Sequence, residues 1–240
     1  MSVGSNAMYA AINWAFSHAP NRLVYLQHRM RVGHRRNAWI EADYYVIHVP
    51  KTGGQSIAEA HGLLTPGHFV YSDLPAGFIA TIRHRPHVAV IRSPIGRLRS
   101  TFRYAKMLRL GWPTTSLAGL AKYETFSDFA KSLPEQKVGT HYFLRPAVRF
   151  FDQAPLDRLS LIPFEHLQSG LDQLHDRLGL TRISLPHKNQ TKDLVDLDLS
   201  LDEDAEAIVR AVYEEDFRLY EAIKDLPISA ADEYLGPRKR

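Results

Sequence analysis

The stretch YYVIHVPKTGGQS, Tyr44–Ser56, decides the fold. Tyr44–Val49 is apolar and aromatic except for His48, and it is rich in the β-branched residues of a buried strand. Pro50 ends the run, Gly53 and Gly54 allow a tight turn, and Gln55–His61 reads as a helix. A strand that passes through a glycine turn straight into a helix opens a β–α unit, and such units build parallel sheets. Ligands bind in the loops that leave the carboxyl ends of parallel strands. Free backbone N–H groups there attract oxyanions. Lys51 adds a positive charge, and Thr52, Gln55 and Ser56 add donors. Pro50–Gly54 therefore reads as a cradle for a phosphate-like group, the alternative being an ordinary turn with a surface lysine. It is not a Walker A loop, in which lysine follows the last glycine. Here Lys51 precedes Gly53, and no magnesium-holding carboxylate follows the next strand.

Further along the chain the alternation repeats. His87–Ile91 reads as a second strand and Leu159–Pro163 as a third. Ile95–Leu110 reads as a helix with Pro94 in its first turn and an apolar stripe of Leu98, Phe102 and Ala105. Leu167, Leu171, Leu174 and Leu178 mark another helix, which Gly179 stops. Ser200 and Glu203 have capping-box spacing ahead of one long helix carrying Ile208, Val209, Val212, Phe217 and Tyr220. Residues 110–157 read as helices and loops laid over the sheet. The expectation is a single α/β domain over residues 1–240, with a central, mostly parallel sheet flanked by helices. Residues 1–40 form a basic helical segment and 236–240 a tail. Arg22, Arg29, Arg31, Arg35 and Arg36 give that first segment either a solvated basic face or an arm for a polyanion or membrane surface.

At 240 residues, with 45% hydrophobic and 23% charged residues, the chain can bury a sizeable core. The absence of cysteine excludes disulfides and thiolate metal sites. A net charge of +4 and a pI near 9.2 favour anionic ligands but fall short of a nucleic-acid binder. No run reaches membrane-spanning length, and no charged start leads an apolar core, so the expected location is the cytoplasm.

VIHVPKTGGQS, Val46–Ser56, is similar at nearly every position to the FIHIPKTGGTS-type strings of sulfotransferases that use 3′-phosphoadenosine 5′-phosphosulfate (PAPS). It most resembles the branch of uronyl 2-O-sulfotransferases and their bacterial relatives. Gln55 departs from the commoner Thr or Asn. The resemblance implies a P-loop-like sulfotransferase fold and a second signature, a strand ending in Arg followed by a helix carrying Ser. VAVIRSPIGRLRSTFRY, Val88–Tyr104, matches it through Arg92 and Ser100, with Ser93 in place of the usual acidic residue. A guanidinium grips phosphate bidentately and a hydroxyl adds one bond, so this pair would hold the 3′-phosphate. Arg97 shares the Ser100 helix face, whereas Arg99 and Arg103 read as solvation of a surface helix. The implied nucleotide contacts in the first motif are Lys51, Thr52, Gly53, Gly54, Gln55 and Ser56, and no metal is implied.

Sulfuryl transfer needs a base for the acceptor hydroxyl. Among twelve histidines, the resemblance selects His68 in PGHFVYSDLP, Pro66–Pro75, as that base, with Lys51 stabilising the leaving phosphate. Its rivals are His48, read as a satisfied core residue, His61 at a helix end, and His141. In ISLPHKNQTKD, Ile183–Asp193, Lys188 and Asn189 match the family's nucleotide-closing loop loosely, and a solvated linker is the equal alternative. Glu165 and His166 in LIPFEHL, Leu161–Leu167, read as structural. Residues 106–157 would supply an acceptor wall, with Trp112, Tyr142, Arg145 and Arg149 as candidate contacts. The acceptor is a hydroxyl compound, and glycan, lipid and small metabolite all stay open. Two other classes are a small-molecule kinase and a non-catalytic polyanion-binding protein.

Overall fold

Among the described residues, four strands form one sheet in the order β1-β2-β3-β4. They are β1 (Tyr45–Val46), β2 (His87–Ile91), β3 (Leu159–Pro163) and β4 (Ser229–Ala230). The computed structural model describes residues 35–108, 119–136, 138–139, 141–186 and 197–235. β1 runs parallel to β2 and β2 parallel to β3, with Tyr45 opposite His87 and His87 opposite Leu159; β4 joins antiparallel. β2 is buried along its whole length and β3 at all but Ser160, the pattern of strands covered on both faces. The α/β class with a mostly parallel sheet is therefore as expected.

β1 is shorter than the expected Tyr44–Val49. Tyr45 N donates to Pro86 O and Ile47 N to Val88 O, but Val49 N turns back to Ile47 O at 3.1 Å, and Pro50 has no N–H to offer. The strand leaves the ladder early while the chain stays buried through Pro50. β4 escapes the sequence reading because two residues carry no periodicity.

Seven helices among the described residues surround the sheet: α1 (Gly54–Ala60), α2 (Ala76–Ile82), α3 (Pro94–Leu108), α4 (Phe126–Lys131), α5 (Leu167–Leu178), α6 (Glu203–Val212) and α7 (Glu214–Ile223). None is long and apolar enough to cross a membrane. α3 begins where Ser93 Oγ accepts from Gly96 N at 3.1 Å, an N-terminal cap that precedes Pro94 at the first helical position. α5 stops at Gly179, which is left-handed at φ 67°. The expected single helix after residue 203 is two. Tyr213 breaks it at φ −114°, ψ 29°, with its ring buried and its hydroxyl donating to Leu144 O at 2.6 Å. The cap is Asp202, which accepts from Ala205 N at 2.9 Å, instead of the expected Ser200–Glu203 box; Ser200 N donates to Asp198.

The apolar core has two parts. One lies on the sheet and includes Trp39, Tyr44, Ile57, Val90 and Ile162. The other joins Leu98 and Phe102 of α3 to Phe126 and Phe129 of α4 and Val209 of α6. Arg97, 1% exposed, bridges nearby elements from α3. It donates to Arg145 O at 3.0 Å and to Asp216 Oδ2 at 3.5 Å, and Asp216 also accepts from Ala147 N and Val148 N. Arg97 is thus structural. At the other end of the core, Tyr44 Oη lies 2.6 Å from His61 Nε2 and 3.1 Å from His175 Nε2. His175 Nδ1 reaches Thr181 O at 2.6 Å. This chain ties β1 to the end of α1 and to α5.

Candidate anion site at the carboxyl edge of the sheet

The loop between β1 and α1 is held by its own packing. Thr52 is buried and donates its hydroxyl proton to Val49 O at 2.8 Å, so the side chain read as a ligand donor closes the turn instead. Lys51 takes a left-handed backbone at φ 66° and Gly53 at φ 89°. A Cβ on Gly53 would lie 2.9 Å from Leu167 Cδ2 and 3.2 Å from Phe164 Cε2. A Cβ on Gly54 would lie 2.3 Å from the His48 ring. Both glycines therefore have a packing reason besides any ligand. Gln55 is exposed and Ser56 half-buried in the first turn of α1. With seven residues, that helix lends the loop little dipole of its own.

Two cations meet over this loop. Arg92 follows β2 directly, and its Nη1 donates to Lys51 O at 3.3 Å. Its guanidinium stacks 4.3 Å from the Phe164 ring centroid, at the end of β3. Lys51 Nζ sits 4.2 Å from the Tyr104 ring centroid, on α3. Burial pushes the Lys51 ammonium down to about 8, with the charge of Arg92 as a second cause. Burial also lowers Arg92, with Glu165 opposing and Arg103 adding to the shift. Neither forms a salt bridge among the described residues. Two desolvated cations that form no salt bridge among the described residues, with Glu165 acting on Arg92 only at longer range, are an environment that rewards an anion.

Ser100 is half-buried on α3, on the same helical face as Arg103, whose charge reaches Arg92. Arg99 does not merely solvate its helix: it donates from Nε to Leu199 O at 3.1 Å. A cavity of about 370 Å³ adjoins this helix, lined by Ser93, Gly96, Arg99, Arg210, Phe217 and Tyr220. Glu165 hydrogen-bonds Tyr220 and is the acidic group whose charge Arg92 feels, so it belongs to the surroundings of the site. Lys188, Asn189 and Trp112 lie outside the described residues.

The histidines divide clearly. His61 caps α1 and bonds Tyr44, away from the loop. His68 reaches His48 O through Nδ1 at 3.2 Å. Its ring centroid lies 4.2 Å from that of His48 and 5.4 Å from that of Tyr142, nearly parallel to the latter at 18°. His141 stacks on the other part of this row, 6.0 Å from Tyr142. His48 is buried, as expected, but it is not satisfied: its Nδ1 finds no hydrogen-bond partner among the described residues. Burial, then His68, then Lys51 hold its pKa well below the ordinary histidine value. Of the expected acceptor wall, Tyr142 stands beside His68. Arg145 turns to Gly139 O and Arg149 approaches Asp152 at 4.0 Å.

Sequence reasoning missed Tyr104 and Phe164, the aromatic faces under the two cations. Phe164 was findable: it immediately follows β3, at the same sheet edge as Lys51 and Arg92. No protein-family model matches this chain, and no curated protein matches it. Fold and site together define a class, an α/β protein with a desolvated cationic site at the carboxyl edge of a parallel sheet.

Proposed function

We propose that this protein is a PAPS-dependent sulfotransferase, with the P-loop-like fold of that family. One observation carries the reading. Arg92 donates to the main-chain carbonyl of Lys51 at 3.3 Å, which brings together the charged residues of two signatures 41 residues apart, neither with a salt-bridge partner among the described residues. A doubly phosphorylated adenosine needs two cationic groups at one sheet edge. The loop from Lys51 to Ser56 would take the 5′ end, and Arg92 with Ser100 the 3′-phosphate. Lys188 and Asn189 would close over the nucleotide.

In the reaction, the acceptor hydroxyl oxygen attacks sulfur and a new S–O bond forms. The S–O bond to the phosphate breaks, and its electron pair stays on the phosphate oxygen. Adenosine 3′,5′-bisphosphate leaves, with Lys51 stabilising the growing negative charge. The hydroxyl proton passes to His68. A carbonyl oxygen only accepts, so the bond to His48 O keeps a proton on Nδ1, and Nε2 carries the lone pair that serves as base. The acceptor is a hydroxyl compound, glycan or small molecule, approaching along the Tyr142 side.

Calorimetry with adenosine 3′,5′-bisphosphate tests the reading. The folded protein binds it, Lys51→Ala and Arg92→Ala lose that binding, and PAPS supports turnover where ATP with magnesium does not. Absence of uptake by the folded wild type, or turnover with ATP in place of PAPS, overturns it.

A further inference from the structure

His48 is a polar side chain buried among apolar neighbours in the sequence run Val46–Val49. It is 8% exposed, on the last stretch of chain before the loop, and its Nδ1 has no hydrogen-bond partner among the described residues. A buried polar atom left without a hydrogen bond is destabilising, so its retention calls for a physical reason. The contacts of His48 supply one. Its carbonyl oxygen takes the Nδ1 proton of His68 at 3.2 Å. Its ring faces the His68 ring at 4.2 Å, inclined by 45°. The Cδ2–Nε2 edge of the same ring lies so close to Gly54 that a single methyl there would clash with it. The main-chain carbonyl of this residue therefore fixes the tautomer of His68, and its ring packs against both His68 and the first residue of α1.

Resting on the sulfotransferase reading, we propose that His48 is a positioning residue that seats the base His68 against the anion-binding loop. It does not take the acceptor proton itself. The charged and titratable groups facing it are His68 from the loop before α2 and Lys51 from the loop after β1, and a proton on its ring would stand against both. Keeping this imidazole neutral leaves His68 the single proton acceptor of the pair. His48 also makes alignment of the base depend on the position of Gly54, and so on the loop that would hold the nucleotide.

Two variants test this. His48→Leu removes the ring and the unpartnered nitrogen, while His48→Phe keeps a flat ring beside His68. Nitrogen-resolved NMR of His68 in the unliganded protein reads tautomer and titration without any need for turnover. The wild type holds His68 with its proton on Nδ1. Both variants keep the main-chain carbonyl and so the Nδ1 proton; His48→Leu removes the packed ring and moves the His68 titration, and His48→Phe lies closer to wild type. In steady-state kinetics, kcat of His48→Leu falls roughly ten- to a hundred-fold with KM for PAPS little changed, as expected for a misaligned base. A His48→Leu protein whose His68 titration and kcat both equal wild type overturns the proposal. Failure of the wild type to bind adenosine 3′,5′-bisphosphate instead overturns the sulfotransferase reading, and the NMR comparison still decides the seating of His68.

Discussion

Lys51 is the residue on which most depends, and its burial gives it a pH signature. Its pKa in the folded protein is about 8, below the ordinary lysine value of 10.5. The folded state thus sheds this proton before the unfolded chain does. Two consequences have opposite signs. Between about pH 8 and 10.5 the Lys51 contribution to stability rises with pH, because a buried charge disappears from the folded state. Over the same range affinity for an anion falls, because the ammonium that attracts it disappears. Calorimetric titration with adenosine 3′,5′-bisphosphate is expected to show affinity steady near pH 7 and declining up to about tenfold per pH unit above 8. His68→Ala is expected to bind that nucleotide like the wild type and to lose turnover by at least about 100-fold in a PAPS assay. The pattern around Lys51 was legible because a charged residue beside two glycines is conspicuous in the sequence. The hidden parts were the ones that chemistry does not flag locally. Nothing in the string tells that Thr52 closes its own turn, or that Gly54 is small for the sake of His48.

At the scale of the element, the three strong strand–helix units could be read from periodicity, and their ends could not. β1 is cut short by Pro50 and by the inward turn of Val49, which compete with the β-propensity of the run. The break at Tyr213 is a tertiary effect: a buried hydroxyl reaching Leu144 O redirects a segment whose apolar spacing would have carried one helix through. The capping box lost to Asp202, two residues from where the pattern placed it. Asp202→Ala is expected to lower the urea midpoint through loss of the helix cap, since its ion pair with Lys131 is half-exposed and adds little. Asp216→Ala is a larger loss. It strands the buried Arg97 guanidinium and deprives Ala147 N and Val148 N of their acceptor. A destabilisation of about 3–5 kcal/mol is expected, measurable as a shift of the denaturation midpoint.

Across the whole molecule, stability should follow the histidines. Burial holds His48 well below the ordinary value of 6.5 and His87 down to about 4. Below pH 6.5 the unfolded chain binds protons that the folded protein refuses at these sites. Stability therefore falls as pH drops from 6.5 towards 4, by something on the order of 1 kcal/mol per pH unit for each such ring. Urea midpoints at pH 7 and pH 5 check it, and His87→Phe should flatten the slope. The chain through Tyr44 has a direction as well as a geometry. Thr181 O cannot donate, so His175 carries hydrogen on Nδ1 and leaves Nε2 to receive the phenol proton. The phenol oxygen then receives from Nε2–H of His61. While both rings are neutral they must be opposite tautomers, every hydrogen along the row pointing the same way, like compass needles laid end to end.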